Sequence, residues 1–308
     1  MSSDPTGAAV ERWNKAFETD HASVERAALI YTHGFVLYWE LHGNHCFGNR
    51  GPEFGWLGWL RRLYGSPRPK RVLELGSGTG DLLIDLRSTD FADRFHGLDL
   101  SEVGLATARR RVAERGWDNV TFASADLNHL TLEPGSADMV LAQASIHHVE
   151  NLEGLFAQVA GALVSGRGLF AINEYVGPSR WQFTTAQMVI TNGLLRLMPA
   201  RLKRRIGDAP PKQRISRPTV EQMVAMDPSE SVRSAEIESV FRQFFEVEQR
   251  VEYGGGISVL VLDEIISNFR NEDPPSVRWM KRVIAVDNLA RRTGIVPSNN
   301  LVLAGRPR

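Results

Sequence analysis

The segment Val72-Leu73-Glu74-Leu75-Gly76-Ser77-Gly78-Thr79-Gly80-Asp81 sets a carboxylate just ahead of three glycines at alternate positions. Without a Cβ, such a loop turns tightly and brings backbone N–H groups close to a ligand. A helix opening behind it would add unpaired N–H donors. A dinucleotide fingerprint would need its third glycine where Asp81 stands, and no G-x-x-x-x-G-K-[ST] loop exists. The spacing suits a ligand whose bulky part is not a pyrophosphate. A nucleophile elbow around Ser77 would need glycines in place of Leu75 and Thr79, which disfavours a hydrolase. Asp99, in Gly97-Leu98-Asp99-Leu100-Ser101, offers a carboxylate that can accept two hydrogen bonds from a ribose diol. Asp126, before Leu127, is placed to accept from the exocyclic amine of a base. Further on, His147 and His148 titrate close to neutral pH.

These groups need elements to hold them. Short apolar runs predict strands over Arg71-Leu75, Arg94-Leu98, Val120-Ala123, Met139-Ala142 and Gly168-Asn173. Helical patterns at Gly80-Leu86, Glu102-Arg115 and Leu152-Leu163 alternate with them. Such alternation predicts an α/β, doubly wound, mostly parallel sheet, with the candidate residues at the carboxyl ends of strands where open sheets bind ligands. A sixth strand over Phe245-Tyr253 and a seventh over Asn300-Ala304 complete it. Residues 1–68 read as a helical segment, and 69–308 as one domain with helical insertions at about 178–243 and 257–298. Gly254-Gly255-Gly256 reads as a flexible exit from the sixth strand.

Over residues 70 to 175 the chain resembles the class I S-adenosylmethionine-dependent methyltransferases. The resemblance implies a seven-stranded Rossmann-like methyltransferase fold and S-adenosyl-L-methionine as cofactor. It implies that the loop Gly76, Ser77, Gly78 and Gly80 passes under the methionine and ribose, with Glu74 orienting the loop. Asp99 would hold the ribose hydroxyls, Leu100 would pack on the adenine, and Asp126 with Leu127 would face its edge. Gln143, after the fourth strand, would lie beside the methionine and the transferred methyl. Residues 1–68 would form a lid, and the insertions an acceptor cap.

Methyl transfer from a sulfonium is an in-line displacement, which gains most from alignment of the nucleophile and exclusion of water. A base is needed only where the acceptor keeps its proton. His147 or His148 could serve as that base, or one could pack while the other braces its loop. Glu174, at the end of the fifth strand, could orient an amine or hydroxyl, or pair with Arg180. Trp13, Phe17, Ala27, Leu29, Ile30, Tyr31, His33, Phe35, Tyr38, Trp39, His42, His45 and Phe54 lie in the N-terminal segment, its aromatics more naturally core than acceptor box. His42-Gly43-Asn44-His45-Cys46 superficially suggests metal binding, yet no HExxH or CxxC spacing supports it, and no metal is expected. The basic run from Arg196 to Arg217 reads as a solvated face, with an anionic acceptor or membrane surface as the other options.

The 308 residues balance 36 Lys+Arg against 36 Asp+Glu, and 43% are hydrophobic. That composition is globular and excludes disorder of the whole chain. Zero net charge disfavours a nucleic-acid partner held by bulk electrostatics. The single Cys46 excludes an internal disulfide, and with no apolar run of spanning length the expectation is a cytoplasmic enzyme without stable membrane insertion. The expected function is methyl transfer to a small-molecule acceptor of bacterial secondary or sugar metabolism, with a homodimer left open. Other chemistry in the same pocket, or a non-catalytic cofactor-binding regulatory subunit, are the rival readings.

Overall fold

The structure, a computed structural model, describes Gly7, Val10, Glu11, Asn14 and residues 36–48, 55–205 and 209–308. The sequence-predicted aromatic and apolar positions Trp13, Phe17, Ala27, Leu29, Ile30, Tyr31, His33, Phe35 and Phe54 lie outside the described residues.

Seven strands form one sheet: β1 (Arg71–Leu75), β2 (Arg94–Asp99), β3 (Val120–Ser124), β4 (Met139–Gln143), β5 (Leu169–Tyr175), β6 (Phe245–Glu252) and β7 (Asn300–Pro307). Their order is β3-β2-β1-β4-β5-β7-β6. The first five pair in parallel, and β7 runs antiparallel between β5 and β6. The central strands are apolar on both faces, as Val72, Leu73, Leu75, Val140, Leu141 and Ala142 show, because helices cover both sides. The order reverses between β1 and β4, which opens a crevice at their carboxyl ends.

One face packs against the helices Gly55–Tyr64, Asp81–Ser88 and Glu102–Ala113, through Leu60, Leu83, Leu86, Leu105 and Ala108. The other carries Leu152–Ala162 and Ile237–Phe244. Packing therefore draws a different line from the expected insertion over 178–243. Ile237, Val240 and Phe241 fall on one side of a helix and bury against Phe156, Phe170 and Phe245, so Ile237–Phe244 belongs to the sheet's own core.

A third cluster joins segments far apart in the chain: Leu37 and Tyr38, then Leu195, Met198 and Leu202, then Ile257 to Val296. Its longest element is the helix Pro274–Arg292, capped by Asp273, whose carboxylate accepts from Ser276 N–H at 3.2 Å. The expected helical insertion at about 257–298 starts in pieces, a helix Ser258–Leu262 and a 3₁₀ turn Ile266–Asn268, with Glu264 at φ +62° between them.

The triple glycine is likewise not a flexible exit. Asp287, 1% exposed, sends its carboxylate into that turn and accepts from the N–H groups of Gly255 (2.8 Å), Ile257 (3.0 Å) and Ser258 (3.2 Å) and from Ser258 Oγ (2.5 Å). Such a nest of amides around one buried carboxylate fixes the exit. The basic run is mostly a solvated face, with two lysines spent inside the fold. Lys203 and Lys212 are buried, donating to Leu195 O (3.2 Å) and Asp263 O (2.7 Å), while Arg201 and Arg205 pair with Asp273 and Glu264. Arg196, Arg204, Arg214 and Arg217 remain exposed. Among the described residues, no helix is long and apolar enough to cross a membrane.

Candidate functional site

A cavity of about 510 Å³ opens at the carboxyl ends of β1, β2 and β4, lined among others by Gly76, Gly78, Asp99, Leu100, Asp126, Leu127, Ser145 and His148. Seven sequence-predicted positions thus converge on one space.

The glycine loop is built by the chain around it. The N–H groups of Gly76 and Ser77 both donate to Leu98 O, at 2.7 and 2.9 Å, which ties the loop to the end of β2. Gly76 has φ +73°, and a Cβ there would stand 2.2 Å from the Cβ of Ser145. Only glycine fits that crossing of the β1 and β4 loops. Gly80 does not line the cavity: a Cβ there would lie 2.9 Å from the Phe122 ring, so it serves the packing of the following helix. Ser77 is buried, its Oγ without a hydrogen-bond partner among the described residues.

Asp99 holds the loop from the opposite side. Its Oδ2 accepts from Gly78 N–H and its Oδ1 from Ser101 N–H, both at 2.8 Å. An ionised carboxylate has about four acceptor positions, so two remain for a ligand diol. Burial raises its pKa above the usual aspartate value, opposed by the amides of Ser101 and Gly78. Ser101, the N-cap of Glu102–Ala113, also donates its hydroxyl to Asn14 Oδ1 at 2.7 Å.

Glu74 is 3% exposed and its Oε2 has no hydrogen-bond partner among the described residues. Burial pushes its pKa well above the carboxylate range, and the nearby charges of Asp81 and Asp99 push it further. A buried acid without a partner is costly, which makes it a candidate for pairing with a cationic ligand group.

Asp126 lines the cavity but spends its carboxylate locally. Oδ1 accepts from Asn128 N–H at 2.9 Å, capping the turn Leu127–His129, and Oδ2 meets His129 Nδ1 at 2.9 Å. Gln143 ends β4 exposed and is not part of the cavity wall; the next residues, Ala144 and Ser145, are.

Glu174 departs most from its sequence-based expectation. It is 1% exposed and faces neither the cavity nor Arg180. Its Oε1 accepts from the N–H groups of Ser145 (2.7 Å) and Ile146 (2.8 Å), and its Oε2 meets His147 Nδ1 at 2.8 Å. Arg180 turns instead to the carbonyls of Pro228 (2.7 Å) and Glu230 (3.2 Å). Glu174 is therefore the brace of the loop after β4. His147 is buried against it; although burial opposes its charge, the hydrogen bond and charge of Glu174 raise its pKa above the ordinary histidine value. His148 lines the cavity, with Nδ1 3.1 Å from Ser229 Oγ.

Sequence reasoning missed Ser145, whose hydroxyl donates to Leu75 O at 2.7 Å, and the segment Pro228 to Arg233 that closes this wall. It also missed the bidentate pairing of Arg233 with Glu153, which holds the Glu153 pKa down to about 2. No spacing in the sequence marks a contact between positions so far apart. His42 and Cys46 form no metal cluster: His42 Nε2 meets Tyr253 O at 2.8 Å, and His45 is exposed.

Residues 72–166 match the family described as the methyltransferase domain. A demethylmenaquinone methyltransferase of Thermus thermophilus is 32% identical over 139 residues, covering 44% of this chain and 62% of that protein. A ubiquinone biosynthesis O-methyltransferase of Bordetella parapertussis is 30% identical over 144 residues, covering 46% and 57%. The chain thus spans less than two thirds of the length of these relatives. In fold it is similar to a Haemonchus contortus phosphoethanolamine N-methyltransferase 2 solved with S-adenosyl-L-methionine, at TM-score 0.51 and 19% identity over 86% of this chain and 56% of that one. Residues 72–166 are thus similar to methyltransferase domains, and they sit in a sheet with the fold of that solved methyltransferase.

Proposed function

We propose that this protein transfers the methyl group of S-adenosylmethionine to a small-molecule acceptor held in the cavity beside the cofactor, in the cytoplasm. The observation that carries the reading is the convergence of Asp99, with two free acceptor positions, and Glu74, with an unpartnered buried oxygen, around the Gly76–Gly78 loop.

The residues present fit the cofactor. Asp99 would accept from the ribose diol, Leu100 and Leu127 would flank the adenine, and Glu74, at the end of β1 just outside that wall, would offset the ammonium of the methionine part. Bound there, the cofactor supplies an electrophilic methyl on a sulfonium. This chain's residues would do the rest: the loop braced by Glu174 fixes the floor, and the wall of His148, Ser229 and Val232 orients the acceptor and excludes water. His148, which lines the cavity, would take a proton from a hydroxyl or amine. Residues 1–68 would form the lid, and the insertions that contribute to the third hydrophobic cluster would form the acceptor cap. Relatives named for trans-aconitate methylation and for ubiquinone biosynthesis support a small-molecule acceptor, while a Saccharomyces cerevisiae relative is named a protein-lysine N-methyltransferase.

Calorimetric titration with S-adenosylmethionine and S-adenosylhomocysteine, with NAD as control, tests the cofactor. Binding of the sulfur nucleosides alone is expected; binding of neither removes the reading. Formation of S-adenosylhomocysteine only when a quinone, phenol, carboxylic acid or amine acceptor is added then tests transfer. Cofactor binding with no turnover on any acceptor would favour a regulatory subunit.

A further inference from the structure

At the wall of the cavity, the 3₁₀ turn Ile146–His148 meets the loop that carries Glu230. His147 Nε2 lies 3.8 Å from Glu230 Oε1, and His148 Nε2 lies 3.9 Å from Glu230 Oε2. One ligand-capable atom from each of the three residues falls within 4.8 Å of the others. Bonds of about 2.0–2.1 Å in a tetrahedral zinc site place neighbouring ligand atoms roughly 3.4 Å apart. The set is therefore open by only about 0.5–1.5 Å from a closed shell, within reach of side-chain torsions.

We propose that His147, His148 and Glu230 bind a divalent transition-metal ion through the two Nε2 atoms and the Glu230 carboxylate. Two imidazoles and one carboxylate are a ligand set used by zinc and by non-haem iron, both of which leave positions for oxygen ligands.

What separates this cluster from a chance meeting of polar groups is its outer support. Histidines that hold metals commonly direct their other ring nitrogen to a carboxylate, carbonyl or water, which fixes tautomer and ring orientation. Both histidines do the equivalent here. His147 directs Nδ1 to Glu174, itself locked by two backbone amides, and His148 directs Nδ1 to Ser229. With Nδ1–H held by Glu174, a metal that displaces the Nε2 proton would meet the ring on the side that faces Glu230. Glu230 is oriented in turn: Ser231 Oγ donates to its Oε1 at 2.8 Å.

The backbone behind Glu230 is held in a sparsely populated conformation. Arg180, Trp181 and Ser231 have φ of +54°, +53° and +50°, and none is glycine. They hold one another, with Arg180 N–H donating to Ser231 O at 2.9 Å and Trp181 Nε1 to Ser231 Oγ at 3.1 Å. Left-handed non-glycine residues cost about 1–3 kcal/mol each and gather where a site requires a fixed shape. Because His148 lines the cavity, an acceptor bearing a carboxylate or phenolate oxygen could complete the metal's shell. With the metal bound, His148 Nε2 is a ligand and not a base, so the metal replaces that proton-accepting role while the cofactor site is unaffected.

The test is equilibrium dialysis of the chelator-treated, untagged full chain against Co²⁺ and Zn²⁺, read by elemental analysis and by the ligand-field absorption of cobalt. Wild type is expected to retain one ion per chain, with a cobalt spectrum typical of low coordination number. Glu230→Gln and His148→Gln should each lower the affinity by at least about tenfold, and Ser229→Ala by about as much or less. Circular dichroism and melting of the metal-free variants show whether they fold; if one does not, the other carries the comparison. A wild-type chain that takes up no cobalt, or folded variants that bind it as wild type does, would overturn the proposal. Titration of metal-free wild type with S-adenosylhomocysteine keeps the two readings apart, since the cofactor site should bind whether or not the metal is present.

Discussion

Asp99 and Glu74 do different work with the same functional group, and the difference lies in what each already binds. Asp99 is held by two amides and keeps two acceptor positions. Asp99→Ala should weaken S-adenosylhomocysteine binding by about 1–3 kcal/mol, because the diol and the Gly78 amide both lose their partner. Asp99→Asn, which retains one acceptor oxygen, should lose less, and unchanged affinity in both would reject the ribose role. Glu74 has an unpartnered oxygen and a raised pKa, so native protein without ligand holds its proton more tightly than the unfolded chain does. For a carboxyl group raised on folding, stability is greatest at low pH and falls as pH rises from the ordinary glutamate range through the raised native value. Glu74→Gln should flatten that slope in denaturant melts across the window. A ligand ammonium beside Glu74 would favour its ionised form, so binding should release protons near neutral pH. Calorimetry in buffers of different ionisation enthalpy measures that release, and equal proton release by wild type and Glu74→Gln would remove Glu74 from the ammonium's neighbourhood.

The elements of the sheet were legible because each carries a complete local signal. An apolar run such as Met139–Gln143, a cap such as Ser101 and a turn such as Gly76–Gly80 are all written in adjacent residues. Glu174 was misread because its partners, the amides of Ser145 and Ile146, have no identity in the sequence; any residue offers an N–H. The structure reverses the expectation that follows from it. A group at the acceptor would lose turnover alone when altered, whereas a brace of the β4 loop should lose stability and cofactor affinity together, since Ser145 rests on Gly76. Glu174→Gln is expected to cost about 2 kcal/mol in denaturant stability with a parallel loss in S-adenosylhomocysteine affinity. Intact affinity with lost turnover would return it to the acceptor. Asp287 was invisible for the same reason, a polar residue in the amphipathic helix Pro274–Arg292 whose ligands are backbone amides. Asp287→Ala strands several buried donors and should destabilise by about 3 kcal/mol, in chemical denaturation at neutral pH.

At the scale of the whole molecule, three hydrophobic clusters must decide whether they melt together. Two sandwich the sheet, and the third gathers segments from the first, middle and last thirds of the chain, so none of its pieces can form it locally. Buried polar contacts join it to the ends of β6 and β7. Gln187 donates to Gly256 O (3.2 Å) and Asn299 Oδ1 (3.1 Å), and Asp287 pins the exit of β6. A polar group stranded in a low-dielectric interior costs free energy, so separating the clusters without unfolding both would expose or strand each of these groups at once. The expected result is one cooperative thermal transition with calorimetric and van't Hoff enthalpies equal. Saturating S-adenosylhomocysteine at about a hundred times its dissociation constant should stabilise by about 2.7 kcal/mol and move that entire transition. Two separate transitions, with only one shifted by the ligand, would show instead that the third cluster melts as a unit of its own and that the polar contacts do not couple it to the cofactor site.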